Sequence, residues 1–472
     1  MNFKKWHFAI FLFSCLWVYI SCSDNEPMSG IPENIGMFLT TIPDTDQRNG
    51  DASIGEDYVK NGSYIKSGIP RGIYDISLAL GNPGINELSR NGINENINFQ
   101  YTALVNEDNV EVVSPNCFQC HAGYADGQFI LGLGNMAADF TNDQSAASGF
   151  LDGLVESNYG NPSAEWDAYF PFSRAVKATG QHLVTETVGA NPADKLALVL
   201  AAHRDPLDLT WIEDPQLTIP GELIPADVPA WWLLKKKSVM FSTGIGRGDF
   251  AKMMMASSIL TLEDSTEARI IDQAFVNVSE FIRNLEAPTY KGTVDSEKAS
   301  RGEALFKLNC ATCHGTYGDN PSYSTKLVDH EAIQTDPALA NSNYAYAEFE
   351  NWFNNSWFGT DSHPARIVPG DGYIAQPLDG VWATAPYLHN GSVPTLEDLL
   401  NSTQRPTFWR RSDNSEDYDH KKVGWEYVTQ TSKNSKFTYD TTLPGYGNMG
   451  HYFGDHLNQS QRADLIEYLK TL

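Results

Sequence analysis

Between residues 265 and 285 the apolar positions recur at steps of three and four, the spacing that puts one apolar stripe along a helix. The segment therefore predicts a long helix over Ser265–Leu285 with a single buried face. Pro288 follows, and because proline cannot continue a helix we expect the helix to stop before it. A domain boundary is accordingly predicted within residues 288–294. The apolar positions are Ala268, Ile271, Ala274, Phe275, Val278, Phe281, Ile282 and Leu285.

Three further segments carry helical patterns. One covers Pro192–Ala202, and another, at residues 296–306, leads directly to Cys310. The last begins at Asn458, where Gln461 completes the pattern of a capping box, and its apolar stripe predicts core packing. The chain thus predicts a mainly α fold with long irregular loops and few short strands. The stripe of the last helix consists of Leu465, Tyr468, Leu469 and Leu472.

The N-terminus has the pattern of an export signal. Lys4 and Lys5 precede an apolar run, Phe8–Ile20, that is shorter than the roughly 20 residues of a membrane-spanning helix. We therefore predict a signal peptide over residues 1–21 and export to the bacterial periplasm or cell surface. Cys15 falls inside the discarded segment.

Cys22 follows this leader, and the polar stretch Ser23–Glu26 comes next, a pattern that resembles a bacterial lipoprotein cleavage site. Lipidation of Cys22 would anchor the protein to a membrane, and residues 22–57, rich in small and polar types, predict a tether. Tyr19 departs from the pattern, because a small aliphatic residue is usual there, so plain secretion is the alternative. Ordered structure is expected to begin near Tyr58.

Charge narrows the set of partners. The 472 residues carry a formal net charge of −26, and loss of a leader that holds two lysines and no acid makes the chain more negative still. Such a chain is repelled by phosphate backbones, which argues against nucleic-acid binding. It favours basic partners, for instance a small cationic electron-donor protein, although a solvated acidic surface without a partner fits equally well.

Every cysteine beyond residue 22 belongs to one of two Cys-x-x-Cys-His pentapeptides. In this motif the two thiols form thioethers to the vinyl groups of a porphyrin, and the adjoining imidazole reaches the iron as proximal ligand. A zinc site is disfavoured because the two pairs lie far apart in sequence, and a thioredoxin-like pair needs no trailing histidine. We therefore predict two covalently bound haem c groups. Haem 1 is assigned to Cys117, Cys120 and His121, and haem 2 to Cys310, Cys313 and His314.

Residues 377–400 read PLDGVWATAPYLHNGSVPTLEDLL. This stretch closely resembles the signature of the dihaem cytochrome c peroxidase superfamily, which includes the methylamine-dehydrogenase maturation enzymes and the haem rubber oxygenases. The resemblance covers most of the chain after residue 100. Within the superfamily the chain is most similar to the rubber-oxygenase branch, because of the long spacing between the haem motifs, the form of the motif around His389 and the aromatic segment at residues 228–234.

The resemblance implies two cytochrome c-like haem domains. The N-terminal one, with extra helices and loops, is assigned to residues 58–290, and the C-terminal one to residues 291–472. It also places His389 beside haem 2 without ligating the iron, where the alternative is a purely structural histidine. The haem-proximal motif residues are Trp382, Pro386, Tyr387 and His389.

The sixth iron ligand decides what each haem does. Bacterial peroxidases place a methionine shortly after the motif and the maturation enzymes place a tyrosine, but the fourteenth residue after His389 is Thr403, a poor ligand. The segment 447–454 resembles the position of the late distal histidine in rubber oxygenases. The resemblance therefore implies His451 as the second ligand of haem 2, with Met449 as runner-up and a surface histidine as the alternative. Either ligand would make haem 2 a six-coordinate electron-transfer centre.

Haem 1 differs in its distal side. Resting peroxidases often carry a distal histidine soon after the first motif, yet no histidine occurs between His121 and His182. An iron without a second protein ligand is open to dioxygen or hydrogen peroxide. Residues that could instead close it are His182, His203 and Met253–Met255. The predicted distal pocket consists of Trp231, Trp232 and Phe241, for which core packing is the alternative.

Two classes of function follow. The first is a haem-dependent oxidoreductase, of peroxidase or dioxygenase type, in which haem 1 activates peroxide or dioxygen and haem 2 relays electrons. An apolar organic substrate belongs to the oxygenase variant of this hypothesis. The second is a non-enzymatic dihaem electron-transfer protein in which both irons are six-coordinate. The missing early distal histidine favours the first class.

Overall fold

The computed structural model describes residues 30–79, 87–412 and 414–472. Helices account for 40% of the structure and strands for 14%, which confirms the predicted mainly α character. Within these ranges no helix is both long enough and apolar enough to cross a membrane. The predicted signal peptide and Cys22 lie outside the described residues.

Most of the helices are short, and long irregular loops join them. Short 3-10 turns lie between them, including one at Trp231–Lys236. The helices of the described residues are α1 (Ala52–Asn61), α2 (Arg71–Ala79), α3 (Phe118–His121), α4 (Gln144–Tyr159), α5 (Ala164–Gly180), α6 (Ala193–Ala202), α7 (Phe250–Met255), α8 (Ser265–Asn284), α9 (Ser296–Asn309), α10 (Ala311–His314), α11 (His330–Ile333), α12 (Ala338–Ala345), α13 (Ala347–Asn355), α14 (Trp357–Thr360), α15 (Leu396–Leu399) and α16 (Gln459–Leu469).

The strands are short, as predicted, but in the described part of the chain they are not few. They form six small antiparallel sheets, with the orders β1-β8-β10, β2-β4-β3, β5-β6, β7-β9, β14-β11-β15 and β12-β13. Their bounds are β1 (Leu39–Thr41), β2 (Ile69–Pro70), β3 (Tyr101–Val105), β4 (Glu111–Pro115), β5 (Ala122–Ala125), β6 (Gln128–Leu131), β7 (Gly246–Gly248), β8 (Lys326–Asp329), β9 (Ala365–Ile367), β10 (Gly372–Ile374), β11 (Phe408–Arg411), β12 (Tyr418–Asp419), β13 (Gly424–Trp425), β14 (Tyr427–Thr429) and β15 (Thr438–Asp440).

The helix predicted over Ser265–Leu285 is α8, and its start is set by a side-chain cap. Asp264 accepts hydrogen bonds from the first free backbone N–H groups of the helix, as aspartate does at this position. The apolar stripe faces the core as predicted. The helix ends at Asn284, before Pro288, and α1 packs across it so closely that a Cβ on Gly55 would overlap the backbone of Asn277.

Residues 30–57 differ from the predicted tether. Strand β1 pairs with β8 in the second half of the chain, and α1 begins at Ala52, ahead of the predicted start of order near Tyr58. Arg48 donates hydrogen bonds to the carboxylates of Asp249 and Asp272 at 2.6–2.9 Å. Both contacts join residues some 200 positions apart, so the composition of the segment carried no sign of them. This part of the predicted tether is packed on the body.

Helices α9 and α16 cross at the end of the chain. Gly302 lies at the crossing, where a Cβ would overlap the backbone oxygen of Asp464, and Arg301 forms a bidentate pair with the Asp464 carboxylate at 2.8 Å. The predicted capping box of Asn458 and Gln461 is confirmed, because each side chain accepts a hydrogen bond from the backbone N–H of the other residue. This crossing fixes the direction in which α9 delivers Cys310.

The described residues form two large apolar cores, and each contains residues from both sides of the predicted 290/291 boundary. The first core is built mainly around α8 and includes Trp352 and Trp357 from the C-terminal half. The second core is built around α9 and α16 and includes Trp232 from the N-terminal half. The domain assignment to residues 58–290 and 291–472 therefore stays a prediction, and the two halves share their interiors.

Candidate functional site

The second Cys-x-x-Cys-His motif follows α9 without a break in its turns. The backbone N–H of Cys310 donates to Phe306, and the N–H of His314 donates to the carbonyl of Cys310 at 2.9 Å. Helical spacing therefore places both thiols and the imidazole of His314 toward one space. The two thiols do not form a disulfide, so both are available for thioether bonds.

That space is a large, mainly apolar cavity. Cys310, Cys313 and His314 line one side of it, and His451 lines it from the loop before α16. Most of the remaining lining is aliphatic, which suits the apolar faces of a porphyrin. Examples from the other elements are Ile31, Leu133, Leu233, Ile374, Leu400 and Leu469.

The imidazole of His314 is oriented by the backbone. Its Nδ1 lies 2.7 Å from the carbonyl oxygen of Gln376, and because a carbonyl only accepts, Nδ1 carries the proton. The free Nε2 lone pair is therefore the one available to a metal. This partner for the second nitrogen of a ligating histidine is typical of metal sites.

His451 stands opposite His314 at a distance that fits one metal ion. The ring centres are 6.3 Å apart and their planes are inclined by 58°. Two metal–imidazole bonds of about 2 Å, with about 1.1 Å from nitrogen to ring centre on each side, require roughly 6.2 Å. This spacing would allow His314 and His451 to hold the iron of a haem attached to Cys310 and Cys313.

Burial keeps these imidazoles neutral. Desolvation lowers the pKa of His451 to about 3, with smaller contributions from His314 and Arg405, and desolvation also lowers the pKa of His314. A neutral imidazole is the form that binds a metal. Met449, the runner-up ligand, has 46% of its surface exposed, so the structure favours His451 over it.

The motif residues take different positions around the cavity. Pro386, Tyr387 and His389 line it, whereas Trp382 is fully buried in the second core and donates from Nε1 to the carbonyl of Pro288 at 2.8 Å. The hydroxyl of Tyr387 donates to the carbonyls of two buried residues, Val381 at 3.2 Å and Val423 at 3.3 Å. The motif therefore forms one wall of the cavity and fastens it to the second core.

His389 stacks on Tyr373 with ring centres 3.8 Å apart and an interplanar angle of 14°. Its Nε2 is buried without a hydrogen-bond partner in the described structure, and burial, followed by His330, lowers its pKa to about 3. The rings that face each other across the cavity are those of His314 and His451. His389 is thus a neutral imidazole in the cavity wall, and its non-ligating role stays a prediction.

The first Cys-x-x-Cys-His motif is held between two hairpins. Strand β4 ends at Pro115, helix α3 carries the motif, and β5 begins directly after it. Asn116 caps the turn by accepting from the N–H of Phe118 at 2.9 Å, and Asn191 donates to the Sγ of Cys120 at 3.3 Å. Cys117 and Cys120 form no disulfide either.

His121 has a different environment from His314. Burial lowers its pKa to about 4, yet its Nδ1 has no hydrogen-bond partner in the described structure. The ring that contacts it is the indole of Trp231, 5.0 Å away and inclined by 29°. In the described part of the chain, no second histidine ring faces His121 as His451 faces His314.

The three residues predicted as a distal pocket do not come together. Trp231 packs in the first core beside His121, but the next residue, Trp232, points into the second core and donates to the carbonyl of Asp379 at 2.8 Å. Phe241 lies at the edge of the first core against Gly246. Consecutive residues of a tight turn point in different directions, which explains why adjacency in sequence was misleading.

The alternative residues for closing haem 1 also have other contacts. His203 stacks on Trp211 at 4.9 Å, and its Nδ1 lies 2.9 Å from the carbonyl of Ile212. His182 lies near the surface beside Gln181, and Met253–Met255 belong to the first core or its edge. None of the histidines among them is in ring contact with His121 in the described chain.

Sequence reasoning missed three residues of the cavity region. Tyr373 and Gln376 line the cavity, and Arg405 holds the loop that carries His451. Their importance comes from contacts between distant segments. The only signal in the sequence is their closeness to the motif at residues 377–400.

Comparison with known proteins identifies a cytochrome c-like relationship. Residues 372–410 match a family model described as RoxA-like, cytochrome c-like. This segment contains the cavity wall around His389 and includes Arg405. It supports haem c as the cofactor of the cavity.

Two curated proteins of Sinorhizobium fredii (strain NBRC 101917 / NGR234) are similar to longer stretches. The chain is 30% identical over 291 residues to uncharacterized protein y4iM, covering 54% of this chain and 66% of that protein. It is 31% identical over 242 residues to uncharacterized protein y4iJ, covering 38% of this chain and 40% of that protein. The chain therefore spans less than two thirds of the length of these relatives.

Proposed function

We propose that this chain is an exported dihaem c-type cytochrome oxidoreductase. In this proposal haem 1 activates hydrogen peroxide or dioxygen, and haem 2 relays electrons to it. The observation that carries the proposal is the asymmetry between the two motifs. His314 faces a second imidazole across a cavity, whereas His121 faces an indole.

The residues around the second motif, which form the proposed haem 2 site (the second site), suit electron transfer. Haem iron supplies the redox chemistry when it is bound, and the protein controls its access and electronics. If His314 and His451 both bound the iron, they would leave no position on it for substrate. The Gln376 carbonyl, which accepts the Nδ1 proton of His314, makes this imidazole a stronger electron donor to a metal. A stronger imidazole donor stabilises the oxidised state of a bound iron.

The residues around the first motif, which form the proposed haem 1 site (the first site), suit the binding of a co-substrate. His121 lacks an acceptor for Nδ1 in the described structure, so its imidazole is a weaker donor than that of His314. The absence of a histidine opposite it, within the described residues, is compatible with an open iron position. The apolar surroundings of the first core would exclude water from this position. These features support peroxide or dioxygen as the co-substrate, and an apolar organic substrate in the oxygenase variant.

A short route joins the two sites through adjacent residues. Trp231 contacts His121, and Trp232 packs in the second core and donates a hydrogen bond to the carbonyl of Asp379, which lines the cavity. Electrons tunnel faster through bonded and packed atoms than across gaps. Two neighbouring indoles, one against His121 and one bonded to a residue of the cavity wall, would therefore supply a path between haem 1 and haem 2.

The decisive experiment is the electron paramagnetic resonance spectrum of the oxidised, purified protein at low temperature. The proposal requires one low-spin ferric signal, from haem 2, and one high-spin signal, from haem 1. Two low-spin signals would contradict an open haem 1 and favour the alternative, a non-enzymatic dihaem electron-transfer protein. With an open haem 1, consumption of peroxide and of dioxygen by the reduced protein separates a peroxidase from an oxygenase.

His451→Ala tests the ligand assignment. Loss of one axial imidazole should convert haem 2 from low-spin to high-spin or to a differently ligated form, because the iron loses a strong-field ligand. His456→Ala is the matched control, since His456 is exposed and lies five positions further along the same segment. An unchanged haem 2 spectrum in His451→Ala would contradict the assignment.

A further inference from the structure

The side chain of Arg405 links two segments of the second site. Within the described residues its guanidinium donates only to backbone carbonyls, which belong to the end of α15 and to the loop before α16. Helix ends present carbonyls that lack intrahelical partners, and a cation there is favourable. The acceptors are Asp398 at 3.1 Å, Leu399 at 2.9 Å, Asn448 at 2.6 Å, Gly450 at 2.7 Å and His451 at 3.4 Å.

Arg90 and Arg204 also donate to backbone carbonyls, but Arg405 does so at the loop that carries His451. Among the ion pairs of the described residues none involves Arg405, although Asp455 is near enough to raise its pKa. Burial is the larger effect and lowers the pKa of Arg405. Because this partly buried guanidinium donates to carbonyls, its contacts fix the relative positions of those carbonyls.

The loop that it holds has a demanding conformation. Gly450 has φ of +81°, and a Cβ there would overlap the backbone of Gln334 and Thr335. His451 follows with φ of +51°, a left-handed conformation that costs a non-glycine residue roughly 1 kcal/mol or more. Its N–H donates to Ile333 at 2.7 Å. The surroundings therefore impose the position from which His451 reaches into the cavity.

We propose that Arg405 is a positioning residue for haem 2, which holds the His451 imidazole at the sixth position of the iron. The inference rests on the proposed function, because it takes His451 as a ligand. Arg405 clamps the loop at residues 448–451 to the end of α15, next to Leu399 and Leu400 in the cavity wall. Without this clamp the left-handed conformation at His451 relaxes, and the iron–imidazole bond competes less well with other ligands.

Lysine cannot replace this arrangement. A guanidinium has five donors in a fixed plane and bridges both segments at once, whereas an ammonium has three donors at a single point. Arg405→Lys keeps the charge and the aliphatic stem while it removes the bridge. Arg462→Lys is the matched control, because Arg462 also donates to a backbone carbonyl in this half of the chain, that of Leu457, without contacting residues 447–451.

The test compares the oxidised holoproteins by electron paramagnetic resonance, with the haem 1 signal as internal reference. Arg405→Lys should lose part of the haem 2 low-spin signal, added imidazole should restore it, and haem 2 should bind imidazole about tenfold more tightly than in the unaltered protein. Arg462→Lys should match the unaltered protein. Equal haem 2 spectra and equal imidazole affinities in both variants would overturn the inference.

His451→Ala separates this inference from the proposal beneath it. A changed haem 2 in His451→Ala together with an unchanged one in Arg405→Lys overturns only the positioning role. An unchanged haem 2 in His451→Ala overturns the ligand assignment on which both rest. If Arg405→Lys fails to accumulate, Arg405→Gln, which retains two donors, is measured in the same way and judged by the same outcomes.

Discussion

The two Cys-x-x-Cys-His motifs differ mainly in the groups that surround their histidines. His314 has a carbonyl acceptor and an opposing imidazole, whereas His121 has neither in the described structure. The pentapeptides share both cysteines and the histidine, so these differences come from residues far away in sequence. Gln376, His451 and Trp231 distinguish the two sites.

His389 should make stability depend on pH. Its pKa is about 6.5 when the chain is unfolded and about 3 in the folded protein, so the unfolded chain binds the proton more readily. Its neutral form is compatible with folding above pH 6.5, and stability falls as the pH decreases from 6.5 toward 3. Between pH 7 and pH 5 this residue accounts for a loss on the order of 1–2 kcal/mol.

His389→Gln removes this titration and retains a polar side chain of similar size. Denaturant unfolding of the holoprotein at pH 7 and pH 5 should show a smaller loss of stability in the variant than in the unaltered protein. Other buried histidines contribute equally to both proteins and cancel in the comparison. Identical losses of stability in the two proteins would show that His389 is protonated to the same extent in the folded and the unfolded chain.

At the scale of elements, the close approach of α9 and α16 governs the second site. Gly302 allows the backbones to meet, and α9 leads directly to Cys310. Any side chain at residue 302 must push the helices apart. Such a shift would move the thioether anchors relative to the loop that carries His451.

Two glycine substitutions make a matched pair. Alanine is favoured over glycine in a helix by roughly 0.5–1 kcal/mol, so Gly153→Ala in α4, where a Cβ meets nothing within 4 Å, should raise the melting temperature. Gly302→Ala should lower it, since overpacking costs about 1–3 kcal/mol. It should also alter the haem 2 spectrum, whereas Gly153→Ala should not. Equal shifts in the two variants would mean that the crossing tolerates a methyl group.

The elements that sequence patterns predict well are those with local causes. Helix α8 and the capping box of α16 follow from residues within one turn or one stripe. Strand β1 and the Arg48 contacts were missed because their partners lie in the second half of the chain or near residue 250. The clamp of Arg405 was missed for the same reason. The attachment motifs are recognisable in the sequence, but the difference between the two sites is not.

For the whole molecule, the shared cores couple the two predicted domains to each other. Each core buries large aromatic side chains from both sides of residue 290. Such contacts join distant parts of the chain, which slows folding and makes it cooperative. Trp231 and Trp232, one in each core, lie at the centre of this arrangement.

The negative charge of the molecule should control how it receives electrons. We expect a small basic cytochrome to reduce the protein at a rate that falls as ionic strength rises, because salt screens the attraction. An acidic cytochrome of similar potential is the control, and its rate should rise with salt. Stopped-flow absorbance at several salt concentrations measures both. A rate that is independent of salt for both donors would argue against electrostatic docking.

The start of the described chain lies at the second site. Gly30 donates from its backbone to Asn309, the last residue of α9, and packs against His456, while Ile31 lines the cavity. Gly30 lies eight positions after Cys22, and at about 3.5 Å per position the two residues are no further apart than about 28 Å. If Cys22 carries a lipid, the protein therefore has a defined orientation, with haem 2 toward the bilayer. Donors embedded in the membrane would then have the shorter approach.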